Sequence, residues 1–270
     1  MTDSSSAPRQ NQPKIDTTVP HSARVWNYWL GGKDHYPVDR EAGDYVIAMF
    51  PDITRIARAA RAFLMRSIHY LVGEAGIRQF LDVGTGLPTA NNTHQVAQAI
   101  APESRIVYVD NDPLVLVHAR ALLTSTPEGA CDYIDADLRE PDKILAGAAR
   151  TLDFTKPVAL MMLGILGQIP DSDDPQSVIK RLLDAMPSGS YLAIGDSVNT
   201  DETYNEVIDR YNENMAYPYH LRSPEQITGF FDGLELVEPG IVAVTRWRPE
   251  ATPFPDPGEV PGMCGVGRKP

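Results

Sequence analysis

Two aspartates around a glycine turn have the types and the spacing to do chemistry. Asp82 lies two residues before Gly84-Thr85-Gly86, and Asp110 follows Gly86 by 24 residues. Both aspartates end apolar runs that are typical of buried strands, so parallel strands would bring them to one edge of a sheet. A carboxylate at the position of Asp110 accepts hydrogen bonds from ribose hydroxyls, and one at the position of Asp82 attracts an ammonium group. Glycines between them let a cofactor approach the backbone closely.

The same stretch departs from the fingerprint that binds dinucleotides. The third glycine of G-x-G-x-x-G falls on Thr89, and Pro88 removes an amide that a pyrophosphate would use at a helix N-terminus. Asp82 would also repel a pyrophosphate. These departures disfavour NAD and FAD, and with them a nicotinamide-dependent oxidoreductase. The pattern instead predicts S-adenosylmethionine, which has a ribose, no phosphate and a cationic tail; the alternative is that Asp82 and Asp110 are helix-capping or surface carboxylates.

Charge restricts the possible partners. The 270 residues include 24 Lys and Arg against 36 Asp and Glu, which gives a net charge of −12. An acidic chain repels phosphate backbones and anionic lipid, so we expect neither a nucleic-acid nor a membrane partner. The candidate basic patch consists of Arg55, Arg58, Arg61 and Arg66, whose spacing indicates the solvated face of a helix.

The cysteines, histidines and termini indicate a cytoplasmic protein without a metal. Cys131 and Cys264 match no zinc spacing and form no disulfide framework. The six histidines show no spacing typical of metal ligands. Residues 1–19 lack the apolar segment of a signal peptide and are predicted to be disordered. The longest apolar run, Val158 to Leu166, is shorter than the ~20 residues that span a bilayer.

From about residue 77 the chain alternates between short apolar runs and amphipathic segments. The predicted strands are QFLDV, RIVYVD, CDYIDAD, PVALMMLGIL and SYLAIGDSV. This alternation predicts an α/β fold with a parallel sheet and helices on both faces. LELVEP and IVAVTRW predict a closing antiparallel hairpin, and the Pro- and Gly-rich residues 249–270 are expected to lack regular structure. Residues 20–76 precede this core, residues 77–248, and include an amphipathic helix from about Ile53 to Glu74.

Several of these motifs resemble a known family. FLDVGTG followed by VYVDNDP resembles motifs I and II of the class I, Rossmann-like methyltransferases that use S-adenosylmethionine. Together with HSARVWNYWLGGKDHYPVDREAG, DADLREP and SPEQITGFF, the stretches FLDVGTGLPT and VDNDPLVLVHARALL resemble an actinobacterial S-adenosylmethionine methyltransferase family once catalogued as a domain of unknown function. The resemblance covers about His21 to Trp247, and LPT after the glycines belongs to that family's motif I. It implies a seven-stranded, mostly parallel sheet with an antiparallel C-terminal hairpin and an N-terminal helical lid.

The resemblance also implies a set of cofactor contacts. Asp110 would bind the ribose, with Asn111 beside the adenine. Asp137 and the backbone at Leu138 would form hydrogen bonds with the adenine amino group, and Asp135 is the alternative to Asp137 in that role. The methionine portion would lie against Asp82, Gly84, Thr85 and Gly86 and, through their backbone, Leu163 and Gly164; the alternative for the last two is a plain strand end.

The fourth strand lacks a motif that many nitrogen methyltransferases carry. Leu163-Gly164-Ile165-Leu166-Gly167-Gln168 stands where those enzymes have Asn/Asp-Pro-Pro-Tyr/Phe, whose side chain and carbonyls orient the nucleophile. The sequence therefore disfavours DNA and planar nitrogen substrates.

The stretch NYWLGGKDHY suits a lid over the cofactor and the substrate. Gly31 and Gly32 allow tight turning, and Lys33 or Arg24 could pair with the cofactor carboxylate. Tyr28 and Gly32 are also expected to contact the cofactor. An aromatic wall is expected from Trp26, Tyr28, Trp29 and Tyr36; the alternative is that these aromatics are core and Lys33 is solvated. The catalytic residues stay unknown, and the candidate bases are Asp34, His35, Tyr36, Tyr219 and His220.

These features together predict a methyltransferase that acts on a small-molecule acceptor. A non-catalytic S-adenosylmethionine-binding regulatory protein is the alternative, because no base is compelling. The sequence predicts neither the acceptor nor the oligomeric state.

Overall fold

The structure is a computed structural model that describes residues 15–122, 124–213, 215, 217–249 and 258–270. The predicted disorder of residues 1–14, and residues 250–257 of the predicted tail, lie outside the described residues. The helices are α1 (Ser22–Trp29), α2 (Pro37–Met49), α3 (Ile53–Gly73), α4 (Thr93–Ile100), α5 (Pro113–Leu122), α6 (Pro141–Ala148), α7 (Pro175–Asp184), α8 (Glu202–Asn212) and α9 (Pro224–Gly229). The strands are β1 (Gln79–Val83), β2 (Arg105–Asp110), β3 (Ala130–Asp135), β4 (Ala159–Leu163), β5 (Tyr191–Ser197), β6 (Glu235–Leu236), β7 (Val242–Ala243) and β8 (Gly262–Arg268).

The strands form one mixed sheet in the order β3-β2-β1-β4-β5-β8-β6, with β7 also paired to β8. Strands β1 to β5 are mutually parallel, and β8 runs antiparallel to β5 and to β6. The chain moves outwards from β1 through β2 to β3 and then returns to β4 on the other side of β1. The predicted α/β fold class is confirmed, and the strand order reverses between β1 and β4.

Alternate residues of each strand pack into two cores, because neighbouring side chains of a strand point to opposite faces. On β1, Phe80 joins the core that includes residues of α3, α4 and α8. Leu81 and Val83 join the core on the other face, which includes residues of α6, α7 and α9. Asp82 therefore shares a face with Phe80 and lies toward α3 and α4.

Helix α3 matches the predicted amphipathic helix, with Phe63, Ile68 and Leu71 fully buried. Its arginines, however, do not all lie on a solvated face. Arg66 donates from Nε to the Trp247 carbonyl and from Nη2 to the Val244 carbonyl, both at 2.7 Å. The interpretation as a solvated face is wrong for Arg66, because α3 is covered there by the segment after β7. Neither α3 nor another helix of the described residues is long and apolar enough to cross a membrane.

The C-terminal residues hold an inner strand, which lies between β5 and β6, and correct the prediction of an irregular tail. β8 pairs with β5 from Tyr191–Arg268 to Ser197–Gly262. The predicted hairpin segments give only the short β6 and β7, which pair with β8 and not with each other. Glycine richness concealed β8, yet a Cβ at Gly267 would lie 3.0 Å from Phe231 and Leu234 side-chain atoms. Glycine here lets those apolar side chains pack directly on the strand.

The position of β8 inside the sheet can be tested with Val266, which is fully buried. Val266→Ala is expected to lower the free energy of unfolding by ~2 kcal/mol, because it leaves a cavity in the core. Val117→Ala is the control, since Val117 is 43% exposed and surface changes stay within about 0.5 kcal/mol. Urea denaturation followed by circular dichroism measures both. Equal effects of the two substitutions would show that β8 is not a core strand.

Candidate functional site

A cleft opens where the strand order reverses, at the carboxyl ends of β1 and β4. Ligands of open α/β sheets bind at this place. Residues before β1 cover it, with Trp26, Asn27 and Trp29 of α1 in its wall. From the predicted set, the lining includes Asp82, Gly84, Thr85, Gly86, Asp110, Asn111, Asp137, Leu138, Leu163 and Gly164. The fold thus brings these predicted residues together around one cleft.

The glycine turn after β1 is tightly packed. Gly84 has φ 75° and Gly86 has φ 63°, a left-handed region that favours glycine. The Gly84 amide donates to the Val109 carbonyl at 2.8 Å, which ties the turn to β2. A Cβ on Gly84 would lie 2.4 Å from the Ile165 side chain, whereas one on Gly86 would meet nothing within 4 Å. Glycine at 84 is therefore needed to fit against the loop after β4.

Asp110 supports this turn from the end of β2. Its Oδ2 accepts from the Gly86 amide at 2.8 Å, and its Oδ1 accepts from the Asp112 amide at 3.0 Å. Burial raises the pKa of Asp110 to about 6, while the amides of Asp112 and Gly86 oppose that rise. Each oxygen has a second lone pair, so the carboxylate can accept further hydrogen bonds from a ligand.

Asp82 lies on the face of β1 that α3 and α4 cover. It is 5% exposed, and its Oδ2 accepts from the Thr93 hydroxyl at 2.5 Å. Burial raises the pKa of Asp82 to about 6, and the Thr93 hydrogen bond and the charge of Arg61 act in the opposite direction. An ionised Asp82 is thus poorly solvated, and a cationic ligand would stabilise it.

Arg61 is one of the site residues that were not predicted from the sequence. Its Nη2 donates to the Ala90 carbonyl at 2.8 Å and to Asn92 Oδ1 at 3.2 Å. Its Nε, although buried, has no hydrogen-bond partner among the described residues. Burial lowers the pKa of the guanidinium, and Asp82 opposes that shift. The sequence could have indicated Arg61 because this residue lies on α3 shortly before the buried Phe63 and Leu64. Helix α3 covers the face of β1 that carries Asp82.

The other end of the cleft follows β2 and β3. Asn111 Nδ2 donates to Asp137 Oδ2 at 3.2 Å, and Arg139 Nη2 donates to the same oxygen at 2.7 Å. The hydrogen bond from Arg139 lowers the pKa of Asp137. Asp135, the predicted competitor, is exposed at the end of β3 and is not part of the lining. The Tyr133 hydroxyl is buried in this wall and has no hydrogen-bond partner within the described part of the chain.

The predicted lid residues divide between the cleft and the outside. α1 turns Trp26 and Trp29 toward the cleft, while the Tyr28 hydroxyl donates to Asp44 of α2. This follows from the 3.6-residue period, which places Tyr28 on another face of α1. Tyr28 therefore lies outside the lining of the cleft, and its contact with a cofactor stays a prediction.

Gly32, Lys33 and Arg24 also lie outside the lining. A Cβ on Gly32 would lie 2.3 Å from the Asn27 side chain, so this glycine serves the packing behind Asn27. Lys33 is exposed. Arg24 is held by Asp39 at 3.4 Å and donates to the carbonyls of residues 16 and 19. The contacts of Arg24 fix the N-terminal segment, and cofactor contacts of these three residues stay predictions.

Of the candidate bases, only Tyr219 lines the cleft. Tyr36 caps α2, and His35 Nε2 lies 3.1 Å from the Gly32 carbonyl. The Asp34 amide donates to Asn27 Oδ1 at 3.1 Å. His220 lines a separate groove. Within the described residues, no group of three or more His, Cys, Asp or Glu side chains has the arrangement of a metal site.

A parallel sheet closed by an antiparallel strand, with a glycine turn after β1 and a carboxylate after β2, defines the Rossmann-like class I methyltransferases. The chain belongs to the S-adenosyl methyltransferase family, whose model matches residues 8–270. The family and the fold predicted from the sequence are thereby confirmed.

Three relatives show the extent of this similarity. A DUF574 family protein from Streptomyces avermitilis MA-4680 is 45% identical, with a TM-score of 0.91 over 95% of this chain and 100% of that chain. An inferred methyltransferase from Thermobifida fusca YX is 40% identical, with a TM-score of 0.87 over 95% of this chain and 97% of that chain. The carboxy-S-adenosyl-L-methionine synthase of Chromohalobacter salexigens is 25% identical over 188 residues. That match covers 66% of this chain and 64% of the synthase, which is less than two thirds of its length.

The packing of the glycine turn predicts unequal effects at its two glycines. Gly86→Ala is expected to cost about 1–2 kcal/mol, because alanine must adopt the left-handed conformation. Gly84→Ala has the same strain and also overlaps Ile165, which adds roughly 1–3 kcal/mol. Urea denaturation measures both losses, and Gly84→Ala/Ile165→Ala should recover part of the difference. Equal losses at the two glycines, with no recovery in the double variant, would contradict the described packing.

Proposed function

We propose that the chain is an S-adenosylmethionine-dependent methyltransferase that binds its cofactor in the cleft and methylates a small molecule. The observation that carries this proposal is that Asp82 and Arg61 both line the cleft beside the glycine turn, where the charge of Arg61 acts on Asp82. Together they present one carboxylate and one guanidinium to the same end of the cleft. An α-amino acid tail has the complementary pair of charges, and a dinucleotide does not.

The residues of the cleft fit this cofactor from end to end. Asp82 would accept from the ammonium group, and the unpartnered Nε–H of Arg61 would donate to the carboxylate. Gly86 leaves room for the chain that joins the tail to the sugar, because a Cβ there would meet nothing within 4 Å. Asp110 would accept from the ribose hydroxyls.

The adenine would lie against the residues that follow β2 and β3. Asn111, Asp137 and the backbone of Leu138 line this end. The buried hydroxyl of Tyr133 needs an acceptor, because a buried polar group without a partner is costly. A ring nitrogen or a ribose oxygen would supply one.

Bound S-adenosylmethionine supplies a methyl group that is already activated by the sulfonium charge. The protein then has to orient the acceptor in line with that methyl group and to exclude water. Trp26 and Trp29 of α1 cover the cleft and suit this role. The enclosed shape and the net charge of −12 favour a small-molecule acceptor over a nucleic acid.

Thermal denaturation with ligands tests the choice of cofactor. S-adenosylmethionine and S-adenosylhomocysteine are expected to raise the melting temperature, because they bind only the folded state. NAD should give no shift, since Asp82 and Pro88 disfavour a pyrophosphate. Asp110→Ala is expected to remove most of the shift by both adenosyl ligands. Stabilisation by NAD alone would refute the proposed cofactor.

Catalysis can be separated from binding with methyl-labelled cofactor and a protein-free metabolite extract. We expect the label to move to an extractable small molecule, and Asp110→Ala, which is expected to bind the cofactor poorly, to transfer less. Binding without transfer to an acceptor would instead support a non-catalytic, regulatory cofactor-binding protein.

The position of Arg61 near Asp82 in the cleft predicts which cation holds the cofactor carboxylate. Arg61→Ala should weaken S-adenosylhomocysteine by about ten- to a hundredfold, because a hydrogen bond to a charged group contributes about 1.5–3 kcal/mol. Lys33→Ala is the control and should leave the affinity unchanged. Titration calorimetry measures both dissociation constants. A large loss of affinity in Lys33→Ala with none in Arg61→Ala would indicate that Lys33, and not Arg61, binds the cofactor carboxylate.

A further inference from the structure

The cleft continues past the proposed cofactor residues into an aromatic half, which we define as Trp26, Ser197, Tyr204, Tyr211, Tyr217 and Tyr219. These residues come from α1, the end of β5, α8 and the segment before α9. Among the described residues of β5, α8 and that segment, none that lines the cleft is charged. A charged acceptor would lose its hydration there without gaining a counterion, whereas a flat uncharged ring would be well packed.

Tyr219 is held rigidly in this aromatic half. Its amide donates to Asn212 Oδ1 at 2.8 Å, and Asn212 Nδ2 donates back to its carbonyl at 2.9 Å. The next residue, His220, donates from its amide to the Gly167 carbonyl at 2.7 Å. The Tyr219 ring lies on Gly167, where a Cβ would come within 2.4 Å of ring atoms. The glycine and the two-way contact with Asn212 fix the direction of the phenol.

Asp196 lies behind Tyr219 and is 7% exposed. The Tyr219 hydroxyl donates to Asp196 Oδ1. The amide of Ser197 donates to the same oxygen at 3.0 Å, and the amide of Leu166 donates to Oδ2 at 3.0 Å. Because the Tyr219 proton points at Asp196, the lone pairs of the phenolic oxygen are left to accept a hydrogen bond from a molecule in the cleft.

We propose that the methyl acceptor is an uncharged, flat hydroxyaromatic molecule whose hydroxyl donates to the Tyr219 oxygen, and that Asp196 receives the acceptor's proton through Tyr219. This inference rests on the proposed function, because it names the acceptor class of the same cleft. Tyr219 is then a catalytic residue that touches the acceptor, and Asp196 is a positioning residue that acts through it.

The step balances with S-adenosylmethionine as the methyl donor. The acceptor oxygen forms a bond to the methyl carbon while the carbon–sulfur bond breaks and its electron pair stays on sulfur. The acceptor's hydroxyl proton moves to the Tyr219 oxygen, and the proton of Tyr219 moves to Asp196. Burial raises the pKa of Asp196 to about 6, which makes this carboxylate a better proton acceptor than an exposed one.

Binding of naphthalene derivatives to the protein saturated with S-adenosylhomocysteine tests the acceptor class. 2-Naphthol is expected to bind at least about tenfold more tightly than 2-naphthoate or 2-naphthylmethylammonium, because both charged probes lose hydration. Tyr219→Phe should weaken 2-naphthol about tenfold and leave 2-methoxynaphthalene unchanged, since the ether has no proton to donate. Tyr28→Phe is the matched control, because it removes another tyrosine hydroxyl that donates to an aspartate, outside the cleft.

The fluorescence of bound 2-naphthol reports proton transfer directly. Excited 2-naphthol gives up its proton to a nearby base and then emits as naphtholate. The ratio of naphtholate to naphthol emission should fall in Tyr219→Phe and in Asp196→Asn, and should stay at the wild-type value in Tyr28→Phe. A purely structural role of Asp196 would leave this ratio unchanged once the site is saturated.

Three further results would overturn the proposed acceptor class and its contact with Tyr219. Tighter binding of either charged probe, absence of 2-naphthol binding, or an equal loss for the naphthol and its methyl ether in Tyr219→Phe would overturn it. S-adenosylhomocysteine is titrated first, so failure of the proposed cofactor is seen before the naphthol is added. Normal cofactor binding without naphthol binding would refute only the acceptor class.

Discussion

The carboxylate of Asp110 and the amide of Gly86 form the contact on which the rest of the site depends. This 2.8 Å hydrogen bond joins the end of β2 to the turn after β1 on one side of the cleft. An ionised carboxylate at this depth loses its hydration, so it needs donors, and the loops after the strands supply them as backbone amides. In the same way, Asp196 at the end of β5 accepts hydrogen bonds from the amides of Leu166 and Ser197. Burial of acidic groups at strand ends therefore fixes the loops that line the cleft.

Charge is unevenly distributed along this cleft. Asp82 and Arg61 give one end a carboxylate and a guanidinium, each incompletely solvated. The aromatic half offers rings and hydroxyl groups. One cleft thus presents a zwitterionic end, which suits an amino acid tail, and a neutral end, which suits a flat acceptor. The methyl group to be transferred would lie between these two ends.

The sequence predicted the parts of the molecule that depend on local patterns. Apolar runs that end in Asp82 and Asp110, with glycines between them, were sufficient to predict the fold class, and most of the predicted site residues line one cleft. β8 was missed because Gly265 and Gly267 lower its apolarity, although they are what lets other side chains cover it. Arg61 was interpreted as solvated because helical spacing shows which residues share a face but not what lies opposite. The predicted lid segment contributes Trp26 and Trp29 to the cleft wall, whereas Tyr28 and Lys33 lie outside the lining.

The central claim is that the Asp82–Arg61 end binds an amino acid tail. Titration calorimetry with S-adenosylhomocysteine and with methylthioadenosine, which keeps the nucleoside and lacks that tail, tests it directly. We predict that S-adenosylhomocysteine binds at least about a hundredfold more tightly than methylthioadenosine, because two charge-assisted contacts contribute about 3 kcal/mol or more. Equal affinities for the two ligands would show that these charges do not contact a cofactor tail and would contradict the account.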